Sequence, residues 1–312
     1  MFFKKLSPSP RGVPLGGLED ALKQTTLRPS RDGDTLIVKH ERLVTRVEVS
    51  APETAETVDG KISAIVTVKT ELPAEFSSLF AKPALISMVN SMATLGAVTA
   101  DKGKHFVGSR LTVYEGEDAW KVQFGLILFS VIAAADTIMG ATQKMFTEAP
   151  PRESGPSAWT EGDFEFAKSY LSRVCVCTTG GLGLTAEFGI RAGEVSAAAG
   201  HHYTALWQMI ADQPHPEIGS GLFCLLNMPH EISDKDKLDK LIAELNRLEM
   251  QGNDLPPHFG AWCRGRRDTN PAYVSFLPDA LHGSDGIALN MSIWAMSRAQ
   301  IADAMLRTMG VR

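Results

Sequence analysis

The chain has 312 residues, 44% of them hydrophobic and 21% charged, which is an ordinary globular composition with enough apolar mass for two cores and no need of covalent staples. Four cysteines, scattered as Cys175, Cys177, Cys224 and Cys263, make no disulfide framework and fit a reducing cytoplasm. The net charge of −5 is uneven: residues 1–152 carry 18 Lys+Arg against 17 Asp+Glu, residues 153–312 carry 13 against 19, and neither half shows the basic stripe of a nucleic-acid binder.

In chain order, residues 1–17 are rich in Pro and Gly and read as an irregular tail, with Pro8, Pro10 and Pro14 where a signal peptide would need an apolar run. Leu18, Ala21 and Leu22 predict a short helix. Strands follow: Leu43, Thr45, Val47 and Val49 alternate with Val44, Arg46, Glu48 and Ser50, and Ile62, Ala64, Val66 and Val68 with Ser63, Ile65, Thr67 and Lys69, the period of half-buried antiparallel strands. Asp32-Gly33-Asp34 and Asp59-Gly60 supply the turns. Pro83 suits a helix start, and Leu85, Met88, Val89, Met92 and Leu95 fall on one helical face. The apolar run Phe124 to Ala135 stops at Asp136, shorter than a membrane crossing requires, so no membrane insertion is expected.

Residues 105–124 and 258–277 look like two versions of one strand–turn–strand unit. Each opens on His-Phe (His105, His258), meets a Gly (Gly108, Gly260) and a charged turn, and reaches an aromatic 15 positions after the His (Trp120, Tyr273). Such repetition predicts two copies of one domain. A helix from about Val131 to Phe146 closes the first copy, and the Pro-rich stretch at 149–157 reads as a linker.

The second half opens with Thr160-Glu-Gly-Asp163, a capping arrangement, before Phe164, Ala167 and Leu171. Strand-like segments lie near 174–190, 194–211 and 220–228. Ser233 then precedes an amphipathic helix bearing Leu238, Leu241, Ile242, Leu245 and Leu248. The repeated strand pair and a last helix, from about Ser292 to Met309, complete the chain.

The reading is therefore α+β: two tandem domains at 1–148 and 158–312, each a five-stranded antiparallel sheet with helices on one face in the order αβββαββα. That order, together with the second-half string from Gly181 to Pro229 (Gly-Leu-Gly-Leu-Thr-Ala-Glu-Phe … Trp-Gln-Met-Ile-Ala-Asp … Phe-Cys-Leu-Leu-Asn-Met-Pro), resembles the type III secretion chaperone-like domain and its YbjN-like branch. The resemblance implies a cytoplasmic, bacterial binding protein that holds a protein partner, with no catalytic residue and no cofactor. It also implies domains that pair, so that the tandem acts as a built-in dimer or joins a second chain through the same faces.

Candidate chemistry is sparse. His201-His202 would point to opposite faces of a strand and could not chelate one ion. Cys175 and Cys177, with His258 and Cys263, lack zinc-ligand spacing. Gly180-Gly181-Leu182-Gly183 leads into a strand, not the helix a phosphate loop needs. Arg264, Arg266 and Arg267 sit in an expected hairpin turn, where solvation is the simpler role. Large aromatics on strands, Tyr203, Trp207, Phe223 and Trp262, are the candidates to anchor a partner. The rival readings are an enzyme or metal protein using His201, His202, His258 and Cys263, and a structural subunit of a larger assembly.

Overall fold

The computed structural model describes residues 15–23, 25–52, 56–57, 60–114, 120–144, 156–191, 203–215, 219–251, 256–283 and 286–311. The expected linker at 149–157 and the pair His201-His202 fall wholly or largely outside them. The protein is α+β, with two antiparallel sheets.

The first sheet joins β1 (Pro29–Asp32), β2 (Thr35–His40), β3 (Leu43–Ser50), β5 (Gly60–Glu71), β7 (Lys104–Tyr114) and β6 (Ala97–Asp101) in that spatial order, with the short β4 (Glu56–Thr57) pairing β5. The second joins β8 (Val176–Thr179), β9 (Gly183–Gly189), β10 (Thr204–Ile210), β11 (Gly221–Asn227), β13 (Pro271–Pro278) and β12 (Ala261–Arg264). The two orders are the same: a four-stranded meander, then a hairpin whose second strand pairs the meander and whose first strand lies at the edge. Helices occupy matching places. α1 (Leu15–Leu22) and α5 (Glu161–Leu171) precede the meanders, α3 (Pro83–Asn90) and α6 (Lys235–Gln251) lead into the hairpins, and α4 (Trp120–Lys144) and α7 (Ile287–Thr308) follow them. The first half adds α2 (Ala74–Leu79).

Each sheet has six strands on its main path where five were expected. The segment 174–190 is two strands, β8 and β9, because Gly181 takes a left-handed φ of 57° and turns the chain inside it. β1, polar throughout, has no apolar alternation to announce it. The expected repeat also differs in detail. Trp120 opens α4, not a strand, and the hairpin turn is Lys102-Gly103, not the charged stretch after Tyr114. His105 lies on β7 and His258 precedes β12, so they are not equivalent; the correspondence lies in strand order instead. α4 starts at Trp120 because Phe124, Leu128, Val131, Ala135 and Met139 recur at helical spacing and bury one face. It runs through Asp136, and Gln123–Gly140 is long and apolar enough to cross a membrane by length and composition, although 44% of that window is buried inside the protein.

The two halves cover each other. α3 lies against β12 of the second sheet, α6 lies against β6 and β7 of the first, and α3 packs on α6. Gly108 marks the contact: a Cβ there would come within 2.7 Å of the Met250 Cε on α6. α3 buries Ile86, Ser87 and Asn90, the face opposite to Met88 and Met92, because that is the side turned to the partner half. Its buried polar groups are satisfied. Asn90 donates to the Val98 carbonyl (3.2 Å) and accepts from the Val98 amide (2.8 Å), and Ser87 accepts from the Arg264 amide (3.0 Å). Leu95, expected on this helix, lies beyond it but is buried.

α6 is capped by Asp234, whose carboxylate accepts from the Lys237 amide (3.1 Å), one residue after the expected Ser233. Leu238, Leu241, Ile242 and Leu245 are buried as expected, and Leu248 is half-buried. Replacing Leu245 by Ala should cost about 2–5 kcal/mol, the range for a fully buried large-to-small change, read from denaturant midpoints. A loss below about 1 kcal/mol would mean that the helix is peripheral.

Candidate functional site

Of the four aromatics expected to anchor a partner, Trp207 and Trp262 do not reach the surface. Trp207 is 1% exposed, in a cross-strand row with Ala186 and Leu226, and its Nε1 donates to Ser292 Oγ on α7 (3.0 Å). Trp262 is fully buried and donates to Glu249 Oε1 (2.8 Å). Large rings on the helix-covered face of a sheet are core, and alternation alone could not tell that face from the other. Tyr203 is half-buried under the Arg191 guanidinium, 3.7 Å from its ring centroid. Phe223 is half-buried against a small cluster that Ala93 of the first half joins. The outer face of the second sheet is thus partly spent on contact within the chain.

The open apolar surface lies elsewhere. A groove of about 480 Å³ runs between α3 and α4, floored by Val98 and Val107 and walled by Phe80, Leu85, Val89 and Ile138. Ala133, Ala134 and Thr137 are small enough to leave a channel along α4. At its mouth stand Met88, Met92 and Phe129, which are 52%, 61% and 41% exposed. A second exposed group, Phe166, Tyr170, Val174 and Val176, lies along α5 and the edge strand β8.

Between the halves lies a buried polar network. Arg110 on β7 and His258 exchange two backbone hydrogen bonds (3.2 and 2.8 Å). The Arg110 guanidinium donates to the carbonyls of Glu249 (2.9 Å) and Pro256 (2.7 Å). The Glu249 carboxylate accepts from Arg298 (2.7 and 3.0 Å) as well as from Trp262, and lies 3.3 Å from His258 Nδ1. Arg298 also stacks on Tyr273, 4.1 Å from its ring centroid, and the Tyr273 hydroxyl is 3.2 Å from His258 Nδ1. Burial would raise the Glu249 carboxyl, but the Arg298 charge and the His258 contact overcome it and hold it far below the usual carboxylate range. Burial, the largest influence on His258, pushes its imidazole down against the pull of Glu249, so it is neutral at pH 7. The side chains of Arg110, Glu249, His258, Trp262, Tyr273 and Arg298 are all buried, and the network joins the halves.

The expected rival set does not assemble among the described residues. His258 belongs to this network, while Cys263 packs with Ala272 and Val274, and burial pushes its thiol up to about 12. No group of three or more His, Cys, Asp or Glu is arranged to hold a metal among the described residues. All four cysteines are free thiols. Cys175, just before the edge strand β8, and Cys177, on it, are half-buried. The groove and the network both escaped the sequence reading: one depends on which face α3 turns outward, the other joins residues more than a hundred positions apart.

The sequence matches no protein-family model and shows no significant similarity to a curated protein.

Proposed function

We propose that this chain is a non-catalytic, cytoplasmic binding protein of the type III secretion chaperone-like kind. On this reading, domains at 1–148 and 158–312 are two copies of one unit, paired within a single polypeptide. The binding surface is the groove between α3 and α4, and its occupant is the apolar face of an amphipathic segment of a partner protein. The observation that carries the reading is the combination of a preformed apolar channel with exposed Met88, Met92 and Phe129 at its mouth. Methionine is flexible and polarisable, and it adapts to helices laid into a groove. The reciprocal cover of the sheets supports the internal pairing: surfaces that a lone domain would turn to a second chain are already occupied by its sister half.

Replacing Met88 and Met92 together by Glu should abolish partner retention in the native cell, because two carboxylates in the mouth cannot be desolvated against an apolar helix. Both side chains are exposed, so the thermal midpoint should stay within about 2 °C of the parent value. An unchanged complement of bound protein in that variant, or a measured turnover in the parent, would overturn the reading.

A further inference from the structure

A second cavity, also about 480 Å³, lies on the part of the outer face of the second sheet that the first half leaves uncovered. Its character is opposite to that of the groove. Gln208 of β10 and Asn227 of β11 line it, Leu206 supplies an apolar patch, and the hairpin turn between β12 and β13 contributes Arg266 and Arg267. Those arginines are exposed and make no hydrogen bond or ion pair among the described residues. The nearest acid in their turn is already committed: Asp268 takes Arg264 (3.0 Å) and Lys235. Arg264 in turn is held by Asp239 (2.7 Å). The turn itself is pinned, since Gly265 and Asn270 share a backbone bond (2.7 Å) and the Asn270 side chain donates to the Met228 carbonyl (3.1 Å). Two guanidinium groups without a partner among the described residues, carried on a braced turn, offer an oxyanion charged donors.

A histidine and an acid complete the lining. His230 is 1% exposed, and its Nε2 lies 2.8 Å from Asp303 Oδ1, which Arg191 also holds (2.8 Å). A carboxylate only accepts, so Nε2 carries the imidazole proton, while Nδ1 is buried and meets no protein group among the described residues. Glu231 lines the same cavity, exposed and without a partner among the described residues. Burial, the main influence on His230, pushes its imidazole down and keeps it neutral, so the lining carries two positive charges and one negative.

We propose that this cavity binds a small polar molecule carrying an oxyanion, a carboxylate or a phosphate, together with a hydroxyl or amino donor. Arg266 and Arg267 hold the oxyanion, and Glu231 accepts from the donor. The site is independent of the apolar groove and stands whether or not that groove takes a protein.

Calorimetric titration of the full chain at low salt, with L-malate and with glycerol 3-phosphate as the carboxylate and phosphate probes, tests the assignment. Saturable binding of either is expected, and its arm identifies the oxyanion. Succinate, which is malate without the hydroxyl, should bind about tenfold more weakly than malate, the loss of one satisfied donor. Replacing Arg266 and Arg267 together by Gln should weaken binding at least about tenfold without moving the thermal midpoint, because neither side chain makes a bond among the described residues. Leu206→Trp, which fills the cavity, should do the same by steric exclusion. The proposal is overturned if neither probe saturates by about 10 mM, or if the arginine variant binds as well as the parent.

Discussion

Replacing Glu249 by Gln should destabilise the protein by about 3–5 kcal/mol, among the largest effects expected of any single substitution here. The carboxylate is the only anion among the residues of the buried network, and it is bonded to Arg298, Trp262 and His258. Gln keeps the shape but removes the charge, leaving the Arg298 guanidinium, 3% exposed, in the interior without its counter-ion. The cost is that of an orphaned buried cation, not the net worth of the pair. The double variant Glu249→Leu with Arg298→Met removes both charges and should recover most of the loss. A double-mutant cycle on urea midpoints separates the two cases. If Glu249→Gln costs less than about 1 kcal/mol, the network is accessible to water and does not bind the halves as described.

Acid should unfold the protein over a window set by three buried histidines. His105, His230 and His258 are 7%, 1% and 0% exposed, and burial, the main influence on each, lowers its affinity for a proton below the ordinary value of 6.5. A base whose folded affinity is depressed stays neutral in the folded chain while the unfolded chain takes up its proton. Stability is therefore fully present above about pH 6.5 and falls as pH drops below it. Each such histidine contributes about 1.4 kcal/mol per pH unit, so three give a slope of up to about 4 kcal/mol per unit. Glu249 and Asp303, whose carboxyls lie below their ordinary values, add to the loss only at lower pH. Urea midpoints measured from pH 8 down to about pH 5.5 should be flat and then fall, and His258→Gln should flatten the acid limb by about one proton. Constant stability across that range would contradict the neutral assignment.

How far the sequence carries the reading depends on what each signal measures. Alternation marks β3 and β5 because each has one clearly polar face, and the leucines of α6 mark that helix for the same reason. β8 and β9 merge into one segment because a glycine turn interrupts them without breaking the pattern. The aromatic at Trp120 suggests a strand by type, yet the apolar spacing after it is helical and packing decides. For α3 the side bearing Met88 is the exposed one, since a helix seated on another unit can bury Ser87 and Asn90 when their bonds are met. The matched spacing of His105 and His258 falls on non-equivalent positions, and the likeness between the halves lies in strand order, which no short run of residues displays. Neither the groove nor the Arg110 junction has a local signature. Both arise only when the halves meet.

The most direct test of the binding reading is site-specific photocrosslinking in the native cell, with a benzophenone side chain at position 129, in the mouth of the groove, and at position 39 as a control. Phe129 and Lys39 are both exposed, but only Phe129 lines the groove. The account predicts one discrete polypeptide adduct from position 129, none from position 39, and loss of the adduct when Met88→Glu and Met92→Glu are introduced. Equal adducts at both positions, or an adduct at 129 that survives those two substitutions, would contradict it.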